Sequence, residues 1–218
     1  ESKTLIDRWH GVDRLQYAVT PRFAPTSTRA QLDCAGQLLS EYPTVYMHTH
    51  LSENKDEIDW VSTLYPQHDH YLDVYDHYHM VRKRAVFGHC LHLEQEEWAR
   101  LSDANASIAF CPTSNLFLGS GLFDLEMAKR YDVDVTLATD VGAGTSFNMF
   151  KTMGEAYKVC QLQKTPFSPL EGLYRMTLGT AASLGLEHAI GNLNPGTDAD
   201  FVILDPQYDE LMQLRIEP

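Results

Sequence analysis

At 218 residues the chain can bury one sizeable core, and an apolar content of 44% is that of an ordinary soluble globular protein. A formal charge of −13, from 17 basic and 30 acidic residues, argues against nucleic-acid backbones and anionic membranes as partners. No apolar run approaches the roughly 20 residues of a membrane span. Cys34, Cys90, Cys111 and Cys160 form no C-x-x-C pair, which fits free thiols in a reducing cytoplasm.

In chain order, "ESKTLIDRWHGVDRL" reads as the end of an amphipathic helix, without an initiator Met, as in a piece cut from a longer chain. Short apolar runs then alternate with helical patterns. Strands are expected at 15–23, 44–51, 84–90, 107–112 and 134–140. Helices are expected at 28–42, 53–65, 93–104 and 122–131. After 146 the chain turns helical, with one long pattern at 168–186 behind a Ser-Pro start. "GNLNPGTDADFVILDP" (191–206) then supplies turn residues, an apolar strand and a Pro, the opening of a small β domain. Residues 1–190 therefore form one α/β unit and 191–218 the start of another.

Strand-helix alternation predicts a parallel sheet with helices outside it, as a (β/α)8 barrel or a doubly wound sheet. Both place their sites at the C-terminal ends of strands. Polar residues gather there: Arg22, His50 to Glu53, His89, Thr113 to Asn115, and Asp140.

"VYMHTHLSENKDEI" (45–58) is the most informative stretch. In a strand Tyr46, His48 and His50 share one face and Thr49 the other. Glu53 opens the following helix, close to a metal held by His50 without being a ligand. The plainer alternative is a hydrogen-bonded core histidine and a helix N-terminal acid. His89 in "FGHC" and Asp140 in "TLATDVGAG" admit equally plain readings, a satisfied core histidine and a turn aspartate. Two histidines, an aspartate and a non-ligand glutamate at successive strand ends suit a catalytic metal hydrolase, with zinc the apt ion for imidazole and carboxylate. Cys90 points away from His89 by strand alternation. "HDHYLDVYDHYHM" (68–80) fits no compact ligand set and reads as a solvated or lid-like segment.

"TPRFAPTST", "HTHLSEN", "FGHC", "SIAFCPTSNLFLGSG", "LATDVGAGTSFNM" and "GNLNPGTDADFVILDP" occur in this order across nearly the whole chain. Together they resemble the guanine deaminases, metal-dependent cyclic deaminases of the amidohydrolase superfamily. The resemblance implies a TIM-type (β/α)8 barrel of which strands four to eight are present, followed by the return to a β-sandwich. It implies hydrolysis of guanine to xanthine and ammonia, zinc or iron as the ion, and a cytoplasmic homodimer. It assigns the metal ligands to His50, His89 and Asp140, and the proton shuttle to Glu53. Asp140 would also orient the attacking water, and His89 would bind the metal or steady the tetrahedral intermediate. The substrate contacts fall on Arg22 and Phe23, beside His50 and Asp140. The family's first-strand H-x-H is missing. "HTH" runs directly into L-S-E and does not replace it, so two further histidine ligands are expected outside these residues. The alternatives are a related deaminase of another purine or a triazine-type amine, and a metal-binding fragment without turnover.

Overall fold

The computed structural model describes residues 1–205. Its elements, in order, are α1 (Ser2–Trp9), β1 (Ala18–Val19), a 3-10 turn (Ala24–Thr26), α2 (Arg29–Glu41), β2 (Tyr46–Leu51), α3 (Lys55–Leu64) and α4 (Tyr71–His77). Then come β3 (Ala85–His89), α5 (Gln95–Asp103), β4 (Ser107–Phe110), α6 (Pro112–Leu118), α7 (Leu125–Arg130) and β5 (Asp134–Leu137). Three helices follow, α8 (Met149–Leu162), α9 (Pro169–Arg175) and α10 (Leu178–Ser183). No helix among the described residues is long and apolar enough to cross a membrane.

All five strands pair in parallel, in sequence order β1-β2-β3-β4-β5. A doubly wound sheet reverses its strand order at a switch point. This sheet does not, so the barrel-type arrangement holds. The register fixes two faces. Met47, Thr49, Leu51, Phe87, Ile108, Phe110, Val135 and Leu137 are buried against the helix layer. His48, Val86, Ser107 and Asp134 form one level of the other face, and His50, Gly88, Ala109 and Thr136 the next. Residues at the level of His50 are small, which leaves room above the sheet at its C-terminal end.

Several elements differ from the sequence expectation, each for a local reason. β1 stops at Val19 because Pro21 has no N–H for a ladder. Glu53 does not open α3: Asn54 is the N-cap, and Glu57 closes a capping box, accepting from the Glu53 and Asn54 amides at 2.9 and 3.4 Å. Pro112 ends β4 and starts α6, a helix the sequence reading missed, with Gly119 in the left-handed conformation at its C-cap. The long pattern at 168–186 breaks at Thr177 into α9 and α10; a Cβ on Gly179 would sit 2.8 Å from the Tyr174 ring, so the two short helices fold closely together.

Residues 68–80 are not a lid. They carry α4, whose Tyr71, Leu72, Val74 and Tyr75 are buried in the core. Two amphipathic aromatics at i and i+4 are a packing signal. The apolar strand expected after 200 does not form within 201–205. Phe201, Val202, Ile203 and Leu204 are exposed and unpaired in any sheet, as a strand without an adjacent edge must be. The rest of the segment called the start of a β-sandwich, 206–218, lies outside the described residues.

Candidate metal and substrate site

The sequence-derived residues converge at the C-terminal ends of the strands. His50, near the end of β2, faces the open side of the sheet. Its Nδ1 lies 2.6 Å from the carbonyl oxygen of Arg22. A carbonyl only accepts, so Nδ1 carries the proton and Nε2 keeps a free lone pair. That is how a metal-ligating histidine is usually oriented. The same carbonyl accepts from the His50 amide (3.3 Å) and the Thr49 hydroxyl (3.1 Å). His48 lies two residues deeper on the same face; desolvation, then the nearby His50, lower its pKa. Among the described residues it makes no bond comparable to that of His50 with Arg22.

His89 breaks strand alternation. It pairs with Leu51, which points into the helix layer, so alternation would bury His89 there too. Its φ of +71° turns the side chain back instead. The ring stacks on His50 at 5.3 Å, and Nε2 lies 3.8 Å from Glu53 Oε2. His89 is 2% exposed, and its Nδ1 meets Asn115 Oδ1 at 2.8 Å. With the amide oxygen turned to the ring, Nδ1 is the donor and Nε2 is left for a ligand bond. Ser52, Cys90 and Asp140 also have positive φ, at 48°, 53° and 48°. Non-glycine residues rarely adopt this conformation, and a cluster of them marks a site where geometry is held against local preference.

Asp140 lies three residues past β5, in a turn closed by the Gly144 amide on the Asp140 carbonyl at 2.6 Å. A Cβ at Gly144 would sit 1.7 Å from the Thr139 carbonyl oxygen, so only glycine fits. Glu53, freed from helix capping by Glu57, accepts a hydrogen bond from Ser120 Oγ at 3.3 Å and leaves its other oxygen towards His89.

Arg22 and Phe23, expected from the sequence to meet the substrate, lie in a row with His50. The Arg22 guanidinium lies 5.5 Å from the centre of the Phe23 ring, and Phe23 lies 5.8 Å from the His50 ring. Arg22 itself is exposed.

Donor chemistry suits a metal ion. Among the described residues His89, Cys111 and Asp140 place ligand atoms within 4.8 Å of one another; His50 is not part of that group, although its ring stacks on that of His89 at 5.3 Å. Cys111 was not singled out from the sequence. Its position at the end of β4, level with the other strand ends, was the available signal. Burial, then the neighbouring Asp140, push its thiol pKa up, and Sγ donates to the Ala109 carbonyl at 3.3 Å. Cys90 is buried, and desolvation followed by the Glu97 carboxylate pushes its thiol well up.

The family model described as "Amidohydrolase family" matches residues 2–216. The guanine deaminase of Escherichia coli K12 is 57% identical over 217 residues, covering 100% of this chain and 49% of that protein. The solved structure of E. coli guanine deaminase superposes with a TM-score of 0.96 at 58% identity, over 98% of this chain and 50% of that one. The guanine deaminase of C. acetobutylicum, solved with bound guanine in the active site, gives a TM-score of 0.84 at 28% identity, over 90% and 48%. This chain thus spans about half the length of the curated relatives it matches.

Proposed function

Because the chain belongs to the amidohydrolase family, we propose that it supplies the strand-four-to-eight half of a guanine deaminase. The reaction is hydrolysis of the C2 amine of guanine: a C2–O bond forms, the C2–N bond breaks, and xanthine and ammonia leave. One observation carries this reading. Glu53, His89 and His50 form a contiguous row at strand ends, in a chain 57% identical throughout to a protein named guanine deaminase.

His50, His89 and Asp140 are the residues that would hold the ion, zinc or iron, with two further histidines supplied from outside these residues. The ion's contribution when bound is to make water a nucleophile near neutral pH. Glu53 takes the proton of the attacking water and delivers it to a ring nitrogen; its carboxylate is steadied on one oxygen by Ser120 and open on the other. Asp140 orients the water. His89, its Nδ1 engaged by Asn115, presents a fixed ring to the reacting carbon or the ion. Cys111 is a wall of the site, because its S–H is donated to a carbonyl.

Phe23 covers one purine face and Arg22 reads its edge. Guanine offers O6 and N7 as adjacent acceptors, which a guanidinium fork matches; adenine puts a donor at the O6 position. The cytoplasmic homodimer rests on the resemblance, and the free cysteines, three of them buried, support the reducing compartment.

The test is a product assay on the complete protein, with guanine, adenosine and a triazine amine in parallel. Equal amounts of xanthine and ammonia from guanine, in excess over the other amines, are expected. Turnover of another amine without guanine would replace this reading. Arg22→Ala should lose most of the wild-type preference for guanine over 2-aminopurine, a factor of roughly 5 to 150 for a contact of about 1–3 kcal/mol.

A further inference from the structure

We propose that Tyr75 is a positioning residue: its hydroxyl locks the turn carrying Arg22 and Phe23 onto the strand end carrying His50. The inference rests on the reading of those three residues as substrate and metal contacts. Tyr75 comes from α4, on the outer side of the sheet, and is 0% exposed. Its ring packs on Phe87 at 5.9 Å and stacks on Tyr71 at 5.5 Å. The hydroxyl passes between two segments distant in sequence. It donates to the His50 carbonyl at 2.9 Å and accepts from the Ala24 amide at 2.9 Å. The Thr49 and Tyr71 hydroxyls each lie 3.3 Å away. One O–H and two lone pairs are thereby fully used.

The Ala24 amide is buried and the His50 carbonyl part-buried, and both sit at the end of an element, Ala24 opening the 3-10 turn and His50 next to last in β2. β1 ends at Val19, so no ladder bond holds Ala24, and the His50 carbonyl lies where β2 is about to end. Deleting the hydroxyl leaves a buried amide and a part-buried carbonyl without this partner, which folded proteins avoid. The turn then loses its tie at Ala24, next to Phe23, while the Arg22 carbonyl stays bound to His50 and Thr49, so the Phe23 end of the turn is the part released. The bonds from His50 and Thr49 to the Arg22 carbonyl do not involve Tyr75, so the His50 tautomer survives. Loss of the hydroxyl therefore strikes purine binding before it strikes the metal.

Tyr75→Phe keeps the packed ring and removes one oxygen. Tyr71→Phe is the matched control: it removes a buried hydroxyl from the same helix, one that meets the Tyr75 hydroxyl. In the complete, metal-loaded protein, Tyr75→Phe should speed hydrogen exchange of the Ala24 amide by about tenfold and raise KM for guanine by about tenfold, the scale of one good buried hydrogen bond. Metal content should be unchanged and kcat within about threefold. Tyr71→Phe should leave KM and the Ala24 amide as in wild type. A wild-type enzyme that deaminates guanine, with KM unmoved in Tyr75→Phe, overturns the positioning role and leaves the proposed function standing. An equal KM increase in Tyr71→Phe also overturns it, by reducing the effect to core packing. A metal-loaded wild type that does not turn over guanine overturns the reading of the site, and this inference with it.

Discussion

Gly144→Ala tests whether the turn after β5 holds Asp140 where the site needs it. An added Cβ would lie 1.7 Å from the Thr139 carbonyl oxygen, and 2.8 and 2.9 Å from the Asp140 carbonyl oxygen and carbon. To reach even 3.0 Å the Thr139 oxygen must retreat by about 1.3 Å. That oxygen belongs to the peptide leading into Asp140, and the Thr113 hydroxyl holds it at 3.1 Å. The carboxylate therefore moves by about 1 Å, a misplacement that costs on the order of 100-fold in a positioned reaction. Crowding of this kind costs about 1–3 kcal/mol in stability, or a Tm loss of about 2–4 °C per kcal/mol for a chain of this size. Metal content by elemental analysis and kcat/KM on guanine, both in the complete protein, measure the effect. Gly154→Ala is the control: nothing lies within 4 Å of its Cβ and it sits inside α8, so it should gain about 0.5–1 kcal/mol and keep its activity. If Gly144→Ala keeps full metal and wild-type kcat/KM, Asp140 is not held by this turn.

Among the proposed ligands, His50→Ala and Asp140→Ala should lower metal content in the complete protein. His48→Ala, about 6–7 Å deeper by strand rise, and Cys111→Ser should lower it much less, and equal loss from either would reassign the ligand set. Glu97 supplies a pH test. It is 3% exposed, and desolvation, its largest influence, raises its pKa above the ordinary 4.5. The folded state then holds the proton more tightly than the unfolded, so this group's contribution is fully present below pH 4.5 and lost as pH rises through the folded value. Glu97→Gln should flatten the fall of Tm with rising pH over that range, and an unchanged slope would remove Glu97 as its source.

How legible the molecule was in its sequence depended on whether a feature repeats. The five strands and their parallel order follow from a recurring apolar rhythm with polar ends, and Arg22, His50, His89 and Asp140 could be placed at the strand ends by counting. Single-residue geometry was not readable. Alternation assigns His89 to the helix layer, and only a left-handed φ brings it to the site. Glu53 and Glu57 both lie where a helix begins; which of them caps α3 decides which carboxylate is free, and the capping box settles it. Tyr71 and Tyr75 were hidden among histidines that suggested a surface segment, although their spacing of four is that of a buried helix face. Pro112 was assigned to a strand rather than read as a helix N1 residue, and α6 was lost with it, together with the Asn115 bond to His89.

Glu53→Gln in the complete protein tests the central claim most directly, because the amide matches the carboxylate in size but cannot shuttle a proton. The measurement is metal content and guanine-to-xanthine turnover on the same preparation. The account predicts full metal occupancy with kcat lowered by about 10²–10⁴-fold. Near-normal kcat in the metal-loaded variant would contradict it.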